Sequence, residues 1–400
     1  MLDPPTIVRS LTYDSQVALL ERIESNGLSL PHELERLGLS YDGLVYEESR
    51  HRQWSGPEPL GLHDFAPTGR GVPLVSFFTG CGGMDLGFEA VGFASKAAFE
   101  FNELFCKTLR RNRPDWNVFG PPVHSGDVSK FDEMAQALSS IITAPFEGIF
   151  AGGPPCQPFS IAANQRFAKW GDNFKRTGFQ HTKNGNLLFD YVKLILEFRP
   201  KVFIVENVPG LRDVDGGEQL NSAVQMLSKA GYTVAPPTVL DAARYGVPQQ
   251  RQRLFLVGSR DGKVFKFPSD TLEPVGAGSV LFRSTEGLQN HETRDHQLGS
   301  IRRYARLRYG ARDQLGRVDR LDPMNPSKTV IAGGTAGGGR SHLHPEIPRT
   351  LSVRECARLQ TFPDDYVFVG ATARQFTQVG NAVPPVLAAH IAESIALQKY

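Results

Sequence analysis

The sequence has few cysteines, and their spacing suits neither a metal site nor a disulfide framework. The four are far apart, with no Cys-x-x-Cys pair: Cys81, Cys106, Cys156 and Cys356. A zinc ribbon, a dithiol redox motif and a disulfide-stapled secreted domain are therefore excluded, and a reducing, cytoplasmic setting is expected. No cluster of metal ligands is evident, so we expect no bound metal.

Long apolar runs and an excess of charge are also lacking. No stretch approaches the roughly 20 apolar residues of a membrane span, and no basic-then-apolar signal pattern opens the chain, so we expect no membrane association. Lys and Arg total 44 against 42 Asp and Glu, a net charge of +2. Affinity for a polyanion must therefore come from local basic patches. The 400 residues suggest two domains and an appendage.

The stretch around which the chain is organised is Ile149-Phe-Ala-Gly-Gly-Pro-Pro-Cys-Gln-Pro-Phe-Ser160. Its apolar start, bounded by turn formers, predicts a short buried strand. The prolines stiffen the turn, so Cys156 is expected on a rigid loop at the carboxyl end of the strand, where open α/β sheets bind ligands. A thiol presented there is a candidate nucleophile. An inert buried cysteine is the alternative, and the Gly-Gly-Pro-Pro turn disfavours it.

An earlier apolar strand runs directly into a glycine-rich turn, Leu74-Val-Ser-Phe-Phe-Thr-Gly-Cys-Gly-Gly-Met-Asp-Leu-Gly-Phe88. Glycines let the backbone approach a ligand at a helix amino terminus, so this pattern predicts the first unit of a Rossmann-like α/β domain. A nicotinamide oxidoreductase is the first rival. It is disfavoured because the third glycine of the dinucleotide fingerprint is not at its usual spacing.

Three carboxyl groups follow predicted strands or turns. Glu100 ends the second strand, roughly 20 residues after the glycines, which suits the two hydroxyls of a ribose. A solvated carboxylate at a helix start is the alternative for Glu100, and a simple turn is the alternative for Asp127. Glu206 ends an apolar strand, where burial is costly without a purpose and raises the pKa, so that the group can donate or share a proton.

Two arginines precede and enter a later strand. Arg251 and Arg253, two residues apart, are expected on the same side of an extended segment, which indicates an anionic or carbonyl partner. A cross-strand salt bridge is the alternative.

Three segments are less regular. Residues 1–70 are set apart from the rest, and apolar residues at helical spacing between Asp14 and Leu44 predict two or three short helices with a docking or capping role. A helix-turn-helix is the alternative, and it is disfavoured because acidic residues are common there and the recognition face is not basic. Residues 161–186 interleave basic and aromatic side chains, which is typical of a nucleic-acid clamp, although a solvated loop is the alternative. In residues 261–345 the alternation of predicted strands and helices ends, and residues 301–320 contain seven arginines and two aspartates. Such a cluster fits the phosphate contacts of a DNA-reading domain.

Gly-Gly-Pro-Pro-Cys-Gln-Pro-Phe-Ser resembles the catalytic motif of the cytosine-5 DNA methyltransferases. Glu206-Asn-Val resembles the sixth motif of that family, residues 349–364 resemble the ninth, and residues 378–385 resemble the last. The resemblance covers about residues 73–390, with the motifs in order, and the chain is identified as a member of the family on this basis.

The resemblance implies an α/β fold: a Rossmann-like S-adenosylmethionine-dependent methyltransferase domain with a smaller, irregular target-recognition domain. The expected divisions are an N-terminal extension at 1–70, a catalytic and cofactor-binding domain at 71–260 plus 378–400, and the recognition domain at 261–377. Cys356 falls on a predicted helix and is interpreted as packing.

The resemblance also implies the site residues. In the family, a ring at the position of Phe78 lies against the adenosyl group, and the residue at Asp127 accepts a bond from the adenine amino group. The residues expected to bind S-adenosylmethionine are Phe78, Gly80, Gly82, Gly83, Glu100, Asp127, Pro155 and Asn381.

For catalysis, the family pattern implies that Cys156 attacks C6 of a cytosine while Glu206 contacts N3 and the exocyclic amine. It further implies that Arg253 contacts the cytosine O2 and that Arg251 supports the same pocket. Because the base must leave the duplex for this chemistry, base flipping is expected.

The implied function is methylation of cytosine C5 within a short specific sequence of double-stranded DNA, as the modification enzyme of a restriction–modification system. A cognate restriction endonuclease acting on the same site is the expected partner, and a monomer is expected because a single-base reaction does not need two subunits. Two alternatives stay open. One is a tRNA cytosine-5 methyltransferase of the same fold, and the other is a catalytically silent DNA-binding module, which is disfavoured because Cys156, Glu206 and the glycine turn are all present.

Overall fold

The computed structural model describes residues 10–49, 53–155, 187–270, 272–332 and 341–399. Two sequence predictions lie outside the described residues: the nucleophile Cys156 and the clamp at 161–186. The other predicted site residues are within them.

Eight strands form the main sheet. They are β1 Pro73–Phe77, β2 Ala94–Phe99, β3 Val118–Phe119, β4 Ile149–Gly152, β5 Val202–Asn207, β6 Thr233–Val234, β7 Thr238–Asp241 and β8 Gln252–Ser259. The order is β3-β2-β1-β4-β5-β8-β6, with β7 also paired to β8. Strands β1 to β5 are parallel, and β8 runs antiparallel to β5. The strand order reverses between β1 and β4, and such a switch point opens a crevice for ligands at the carboxyl ends of the strands.

The helices surround this sheet and a smaller one. They are α1 Tyr13–Asn26, α2 Leu30–Arg36, α3 Gly83–Ala90, α4 Glu103–Asn112, α5 Phe131–Ser139, α6 Leu187–Phe198, α7 Glu218–Lys229, α8 Gly278–Leu281, α9 Leu298–Ala305, α10 Val353–Leu359, α11 Thr372–Asn381 and α12 Pro385–Leu397. Short 3-10 helices lie at Tyr41–Gly43, Leu62–Asp64, Pro209–Arg212, Val214–Gly217 and Ala242–Tyr245. In the ranges described, none of the helices combines the length and apolarity required to cross a bilayer.

Both faces of the main sheet are covered, which explains its near-continuous apolar strands. Along β1, Leu74 packs into the hydrophobic cluster beneath α3 and α12, whereas Val75 and Phe77 pack into the cluster beneath α5, α6 and α7. Successive side chains of a strand point to opposite faces, so a strand buried on both sides needs apolar residues at nearly every position. The prediction of a Rossmann-like α/β fold is confirmed.

Residues 272–377 carry a small three-stranded sheet of β9 Arg312–Asp313, β10 Val318–Arg320 and β11 His342–Leu343. A third hydrophobic cluster joins this region to the first turn and helix of the main domain, since Cys81 and Leu86 pack in it together with Leu351 and Phe376. The predicted division at residue 261 therefore separates elements that share a core. The domain boundaries stay a prediction.

The predicted N-terminal helices are present as α1 and α2. The hydroxyl of Thr12 caps α1 by accepting from the Ser15 N–H, and Gly27, with φ +62°, ends it. These helices pack against Ile301 of α9 rather than on the main sheet. Phe65, further along, packs against the cluster beneath α3 and α12.

Candidate active site at the carboxyl edge of the sheet

The strand register aligns the ends of the four central parallel strands. Phe77 of β1 is paired with Phe99 of β2 and with Gly152 of β4, and Gly152 is paired with Val205 of β5. The next residue on each strand therefore belongs to one row, which consists of Phe78, Glu100, Gly153 and Glu206. Three of these four are predicted site residues, and the fourth begins the turn that leads to Cys156.

The glycine turn leaves β1 through an unusual backbone conformation. Phe78 has φ +54°, a left-handed value that is a genuine outlier for a bulky residue and a pointer to function. Its half-buried ring lies edge-on to Tyr191, 6.1 Å between centroids. Gly80 and Gly82 also have positive φ values, +62° and +82°. A Cβ at Gly80 would meet nothing closer than 3.9 Å, so a ligand can approach this part of the turn.

The other glycines of the turn serve packing. A Cβ at Gly82 would lie 2.9 Å from the side chain of Leu109, and one at Gly83 would lie 2.3 Å from the Val383 carbonyl oxygen. The need for glycine at these two positions therefore comes from the protein's own packing. Gly83 in turn brings the segment that follows Asn381 onto the start of α3, while the Asn381 side chain is exposed.

Glu100 is buried and joins the end of β2 to the glycine turn. Its Oε2 accepts from the Gly80 N–H at 2.7 Å, and its Oε1 accepts from the Asn102 N–H at 2.6 Å. Burial raises the pKa of this carboxyl to about 7, and the backbone donors oppose that rise. A carboxylate has about four lone-pair positions, so further acceptor capacity remains for two hydroxyls.

Asp127 lies in the turn that precedes α5. Its Oδ1 accepts from the N–H and the hydroxyl of Ser129, at 3.0 and 2.6 Å. Gly126, with φ +64°, packs so closely on the backbone of Glu100 that a Cβ would lie 2.0 Å from the Glu100 carbonyl oxygen. The turn that carries Asp127 therefore packs directly against the end of β2. One carboxylate oxygen of Asp127 already accepts hydrogen bonds within this turn.

Glu206 and Arg253 form an ion pair across β5 and β8. The distance from Arg253 Nε to Glu206 Oε1 is 3.0 Å, and the two side chains are 13% and 12% exposed. Burial raises the pKa of Glu206, and the charges of Arg253 and Arg251 oppose that rise. The cross-strand salt bridge that was the alternative interpretation is thus present, between two predicted catalytic residues.

The Glu206 carboxylate also faces the turn that leads to Cys156. A Cβ at Gly153 would lie 2.8 Å from Glu206 Oε2. The next residue on β5, Asn207, donates from Nδ2 to the Pro154 carbonyl at 3.2 Å and accepts from the Val208 N–H at 2.7 Å. Two adjacent β5 residues therefore hold the described part of this turn. Pro155, its last described residue, is exposed.

Arg251 lies behind the ion pair and is fully buried. Its Nη1 donates to the Val330 carbonyl at 3.0 Å, and its Nη2 donates to the Gly380 carbonyl at 2.7 Å. The two predicted arginines therefore have separate partners. Arg253 faces a carboxylate, whereas Arg251 connects the start of β8 to the 272–332 region and to the end of α11.

This sheet edge combines a glycine turn, a buried carboxylate beside it and a second carboxylate paired with an arginine. The family model for the C-5 cytosine-specific DNA methylases matches residues 72–397, a range that spans the whole edge. The chain belongs to this family. It is therefore an enzyme, a DNA (cytosine-5-)-methyltransferase.

Relatives of this methylase are type II methyltransferases. The chain is 34% identical to M.Eco47II of Escherichia coli over 354 residues, which are 80% of this chain and 78% of the relative. It is 32% identical to M.PspPI of Psychrobacter sp. over 354 residues, 82% and 79% of the two chains.

Solved structures show the same fold at lower identity. A prophage-encoded E. coli chain described as a DNA modification methyltransferase has a TM-score of 0.64 at 24% identity, covering 81% of this methylase and 98% of that chain. The methyltransferase EhMeth of Entamoeba histolytica has a TM-score of 0.58 at 13% identity, with coverage of 82% and 99%.

The other three cysteines of the methylase are buried. The thiol of Cys81 donates to the Gln378 carbonyl and that of Cys106 donates to the Glu100 carbonyl, and burial raises the pKa of both thiols. Cys356 packs inside α10, where burial also raises its pKa. Reactive cysteines are exposed and have depressed pKa values, so these three are structural.

Two residues of this edge were missed by the sequence reasoning. Asn207 was quoted within a motif but given no role, and its bond to Pro154 depends on a contact 53 residues away. Phe101, immediately after Glu100, is 66% exposed. A large exposed aromatic side chain directly after the predicted ribose carboxylate was the signal that could have identified it.

Proposed function

We propose that this methylase transfers a methyl group from S-adenosylmethionine to C5 of a cytosine within a short specific sequence of duplex DNA. The observation that carries the proposal is the buried Glu206–Arg253 pair, which adjoins Gly153 at the start of the turn to Cys156. An acid-base group and a cation are thereby placed next to the segment that bears the nucleophile.

The residues around the glycine turn fit S-adenosylmethionine. Glu100 retains acceptor capacity for the ribose hydroxyls, and the open side of Gly80 admits a ligand. Phe78 directly follows β1 and Phe101 lies two residues after β2, where half-buried and exposed rings suit the faces of an adenine. We assign Gly82, Gly83, Asp127, Pro155 and Asn381 to the same pocket, with Gly82 and Gly83 acting through close packing of the turn. When bound, S-adenosylmethionine would supply an electrophilic methyl group to C5, and its sulfur would leave as the neutral thioether of S-adenosylhomocysteine.

The protein's task is to make cytosine C5 nucleophilic. In the proposed reaction, the Cys156 thiolate forms a bond to C6, and the electron pair of the C5–C6 double bond becomes available at C5. Glu206 contacts N3 and the exocyclic amine, and its raised pKa suits it to supply or share the proton that balances charge at N3. Arg253 binds O2, and Arg251 supports it from behind. Loss of the C5 proton and expulsion of the thiolate restore the aromatic ring.

The reaction requires an accessible base, so we infer that the target cytosine is flipped out of the duplex. By likeness to type II methyltransferases, we assign the enzyme to a restriction–modification system, with a cognate endonuclease that cuts the same unmethylated site. We propose that it acts as a monomer, because a reaction on a single base does not need two subunits.

The test is transfer of labelled methyl from S-adenosylmethionine to unmethylated duplex DNA, with tRNA in parallel and Cys156→Ala as control. Bisulfite sequencing locates the product. We expect label on cytosines of one short motif, and loss of the label with the variant. Label on tRNA alone would transfer the protein to the RNA branch of the fold. Absence of label on both, with cofactor binding intact, would contradict the catalytic assignment.

A further inference from the structure

The N-terminal segment, residues 10–49, is built into the region that follows the main sheet. Leu20 and Ile23 of α1 share a hydrophobic cluster with Ile301 of α9. The Glu47 N–H donates to the Ala305 carbonyl at 2.9 Å, at the end of the same helix. The segment therefore buries one side of α9.

A second contact of this segment reaches the small sheet directly. The guanidinium of Arg320, on β10, is stacked between two rings, 3.5 Å from the centroid of Tyr46 and 3.9 Å from that of Tyr309. The Tyr46 hydroxyl donates to the His344 carbonyl at 2.8 Å, and Arg320 Nε donates to the Pro345 carbonyl at 2.8 Å. A desolvated cation between two rings is among the stronger cation–π arrangements. Tyr46 thus fixes the base of the β9–β10 hairpin.

The other strand of the hairpin is held through α9. Arg303 of α9 pairs with Asp313 of β9 at 3.2 Å, and Asp313 also accepts from the Gly316 N–H at 2.5 Å. Arg312 pairs with Asp319 across the hairpin at 3.0 Å. Contacts therefore hold both strands of the hairpin. Tyr46 of the segment 10–49 holds one strand directly, and α9, on which the same segment packs, holds the other.

The tip of this hairpin, residues 314–317, presents its side chains to solvent. Gln314 and Arg317 are exposed, and Leu315 is 76% exposed. Among the described residues, Arg317 has no ion-pair partner, although five of the seven arginines between 301 and 320 are occupied: four with carboxylates and Arg320 with the two rings. A rigid turn that offers an amide, an apolar side chain and an unpaired cation matches the surfaces of a duplex.

A continuous set of contacts joins the hairpin to the candidate active site. Lys328 pairs with Asp319 of β10 at 3.3 Å. The neighbouring Ser327 carbonyl accepts from the Gln250 N–H at 2.8 Å, one residue before Arg251. The hairpin is therefore tied to the segment that leads into Arg253.

We propose that the tip 314–317 contacts the DNA duplex and that Tyr46 is a positioning residue that holds it there. Arg317 binds a phosphate, the Gln314 amide meets base edges, and Leu315 makes an apolar contact. This inference rests on the proposed function. It gives the N-terminal segment a role in DNA binding with no DNA contact of its own.

The tip is tested with Arg317→Ala in the full-length protein, using a labelled duplex that contains the methylated motif and fluorescence anisotropy across a salt series. We expect roughly ten-fold weaker binding, and a slope of log K against log salt reduced by about 1. The control is Arg111→Ala, an exposed arginine on α4, which should leave both quantities unchanged. An unaltered slope for Arg317→Ala would overturn the tip contact.

The positioning role is tested with Tyr46→Leu against Tyr46→Phe. The phenylalanine variant keeps the ring over Arg320 and should bind DNA within about two-fold of the wild type, whereas the leucine variant should lose affinity roughly as Arg317→Ala does. Both should bind S-adenosylmethionine normally. Equal losses of cofactor and DNA binding in Tyr46→Leu would show a general structural role and overturn the inference.

If Tyr46→Leu does not fold, Arg303→Gln breaks the other brace and decides the question through the same two affinities. Methyl transfer is recorded separately from binding. A wild-type protein that binds duplex DNA but transfers no methyl group counts against the proposed function alone. An active wild type whose Arg317→Ala variant binds DNA equally well counts against this inference alone.

Discussion

The main sheet edge and the region of residues 272–377 use arginine in different ways. At the sheet edge, Arg253 faces Glu206 in the crevice where we place the cytosine. In the other region, most arginines that suggested a DNA-binding surface already have partners within the protein, as with Arg302 paired to Glu24 and Arg320 stacked between two tyrosines. A high local count of arginines therefore does not by itself indicate a phosphate-binding face.

The two regions differ in what determines the partners of their arginines. At the sheet edge, the partners follow from strand register, and register follows from short apolar runs whose ends are visible in the sequence. In the 272–377 region, several partners come from segments far apart in the chain, including Glu24 of α1 and Glu48 of the N-terminal segment. Four predictions test this contrast.

The largest effect is expected for Glu206→Gln. The amide cannot take or release the proton that N3 requires, so kcat should fall by about 10²- to 10⁴-fold. Cofactor affinity, measured by calorimetry, should stay within two-fold, since Glu206 lies on β5 and most of the assigned cofactor residues follow β1 and β2 directly or in the adjoining glycine turn. A variant with normal kcat would remove Glu206 from the mechanism and leave Arg253 as a structural partner only.

Replacing each of the two arginines near β8 by lysine should have different effects on stability and activity. Arg251→Lys leaves at least one of the Val330 and Gly380 carbonyls without a donor, and should lower the free energy of unfolding by about 2–4 kcal/mol. Arg253→Lys keeps a charge beside Glu206 and should cost less than about 1 kcal/mol, yet lower kcat/KM at least ten-fold. Denaturant unfolding and steady-state kinetics give the two readouts, and similar stability losses at both sites would contradict the distinction.

The affinity for S-adenosylmethionine should depend on pH through Glu100. The carboxyl has a pKa of about 7, and its ionised form is the better acceptor for ribose hydroxyls. Affinity should therefore increase about ten-fold from pH 6 to pH 8 and then level off. The contribution of Glu100 to the free energy of unfolding has the opposite pH dependence. Because the folded state binds the Glu100 proton more tightly than the unfolded chain does, this contribution declines as pH rises from about 4.5 to 7. Calorimetry between pH 6 and pH 8 measures the increase in cofactor affinity. A wild-type affinity that does not change with pH would rule out titration of Glu100.

The smallest effect is expected for Arg302→Ala. Its pair with Glu24 is partly exposed, so the free energy of unfolding should change by less than about 1 kcal/mol. Because Arg302 is already paired, the salt dependence of DNA binding should equal that of the wild type. A slope reduced by about 1 would show that Arg302 contacts a phosphate, and the contrast between the two regions would then fail.

Much of the sheet edge could be predicted from the sequence. The strands expected to end near Glu100 and Glu206 are present as β2 and β5. Phe78, Glu100 and Glu206 share one row because the parallel strands are in register: Phe78 and Glu100 directly follow β1 and β2, and Glu206 lies at the same level, one residue before the end of β5. The roles of these residues and the domain boundaries remain predictions, and Cys156 lies outside the described residues.

The partners of Arg251 could not be predicted. Its bonds reach Val330 and Gly380, 79 and 129 residues further along the chain. The stacking of Tyr46 on Arg320 has the same character, since no periodicity connects the two segments. Such contacts depend on how separate elements pack, and local patterns carry no information about it.

The sequence by itself determined the α/β class, the order of the motifs and the residue types that cytosine chemistry requires. These are local properties of the chain, since strands, turns and the glycines and prolines that end them depend on neighbouring residues. The tertiary structure decided which arginine faces Glu206, which glycines serve packing and where residues 10–49 dock. Those outcomes depend on burial and pairing between distant segments, where a charged group must find a partner to offset the loss of water.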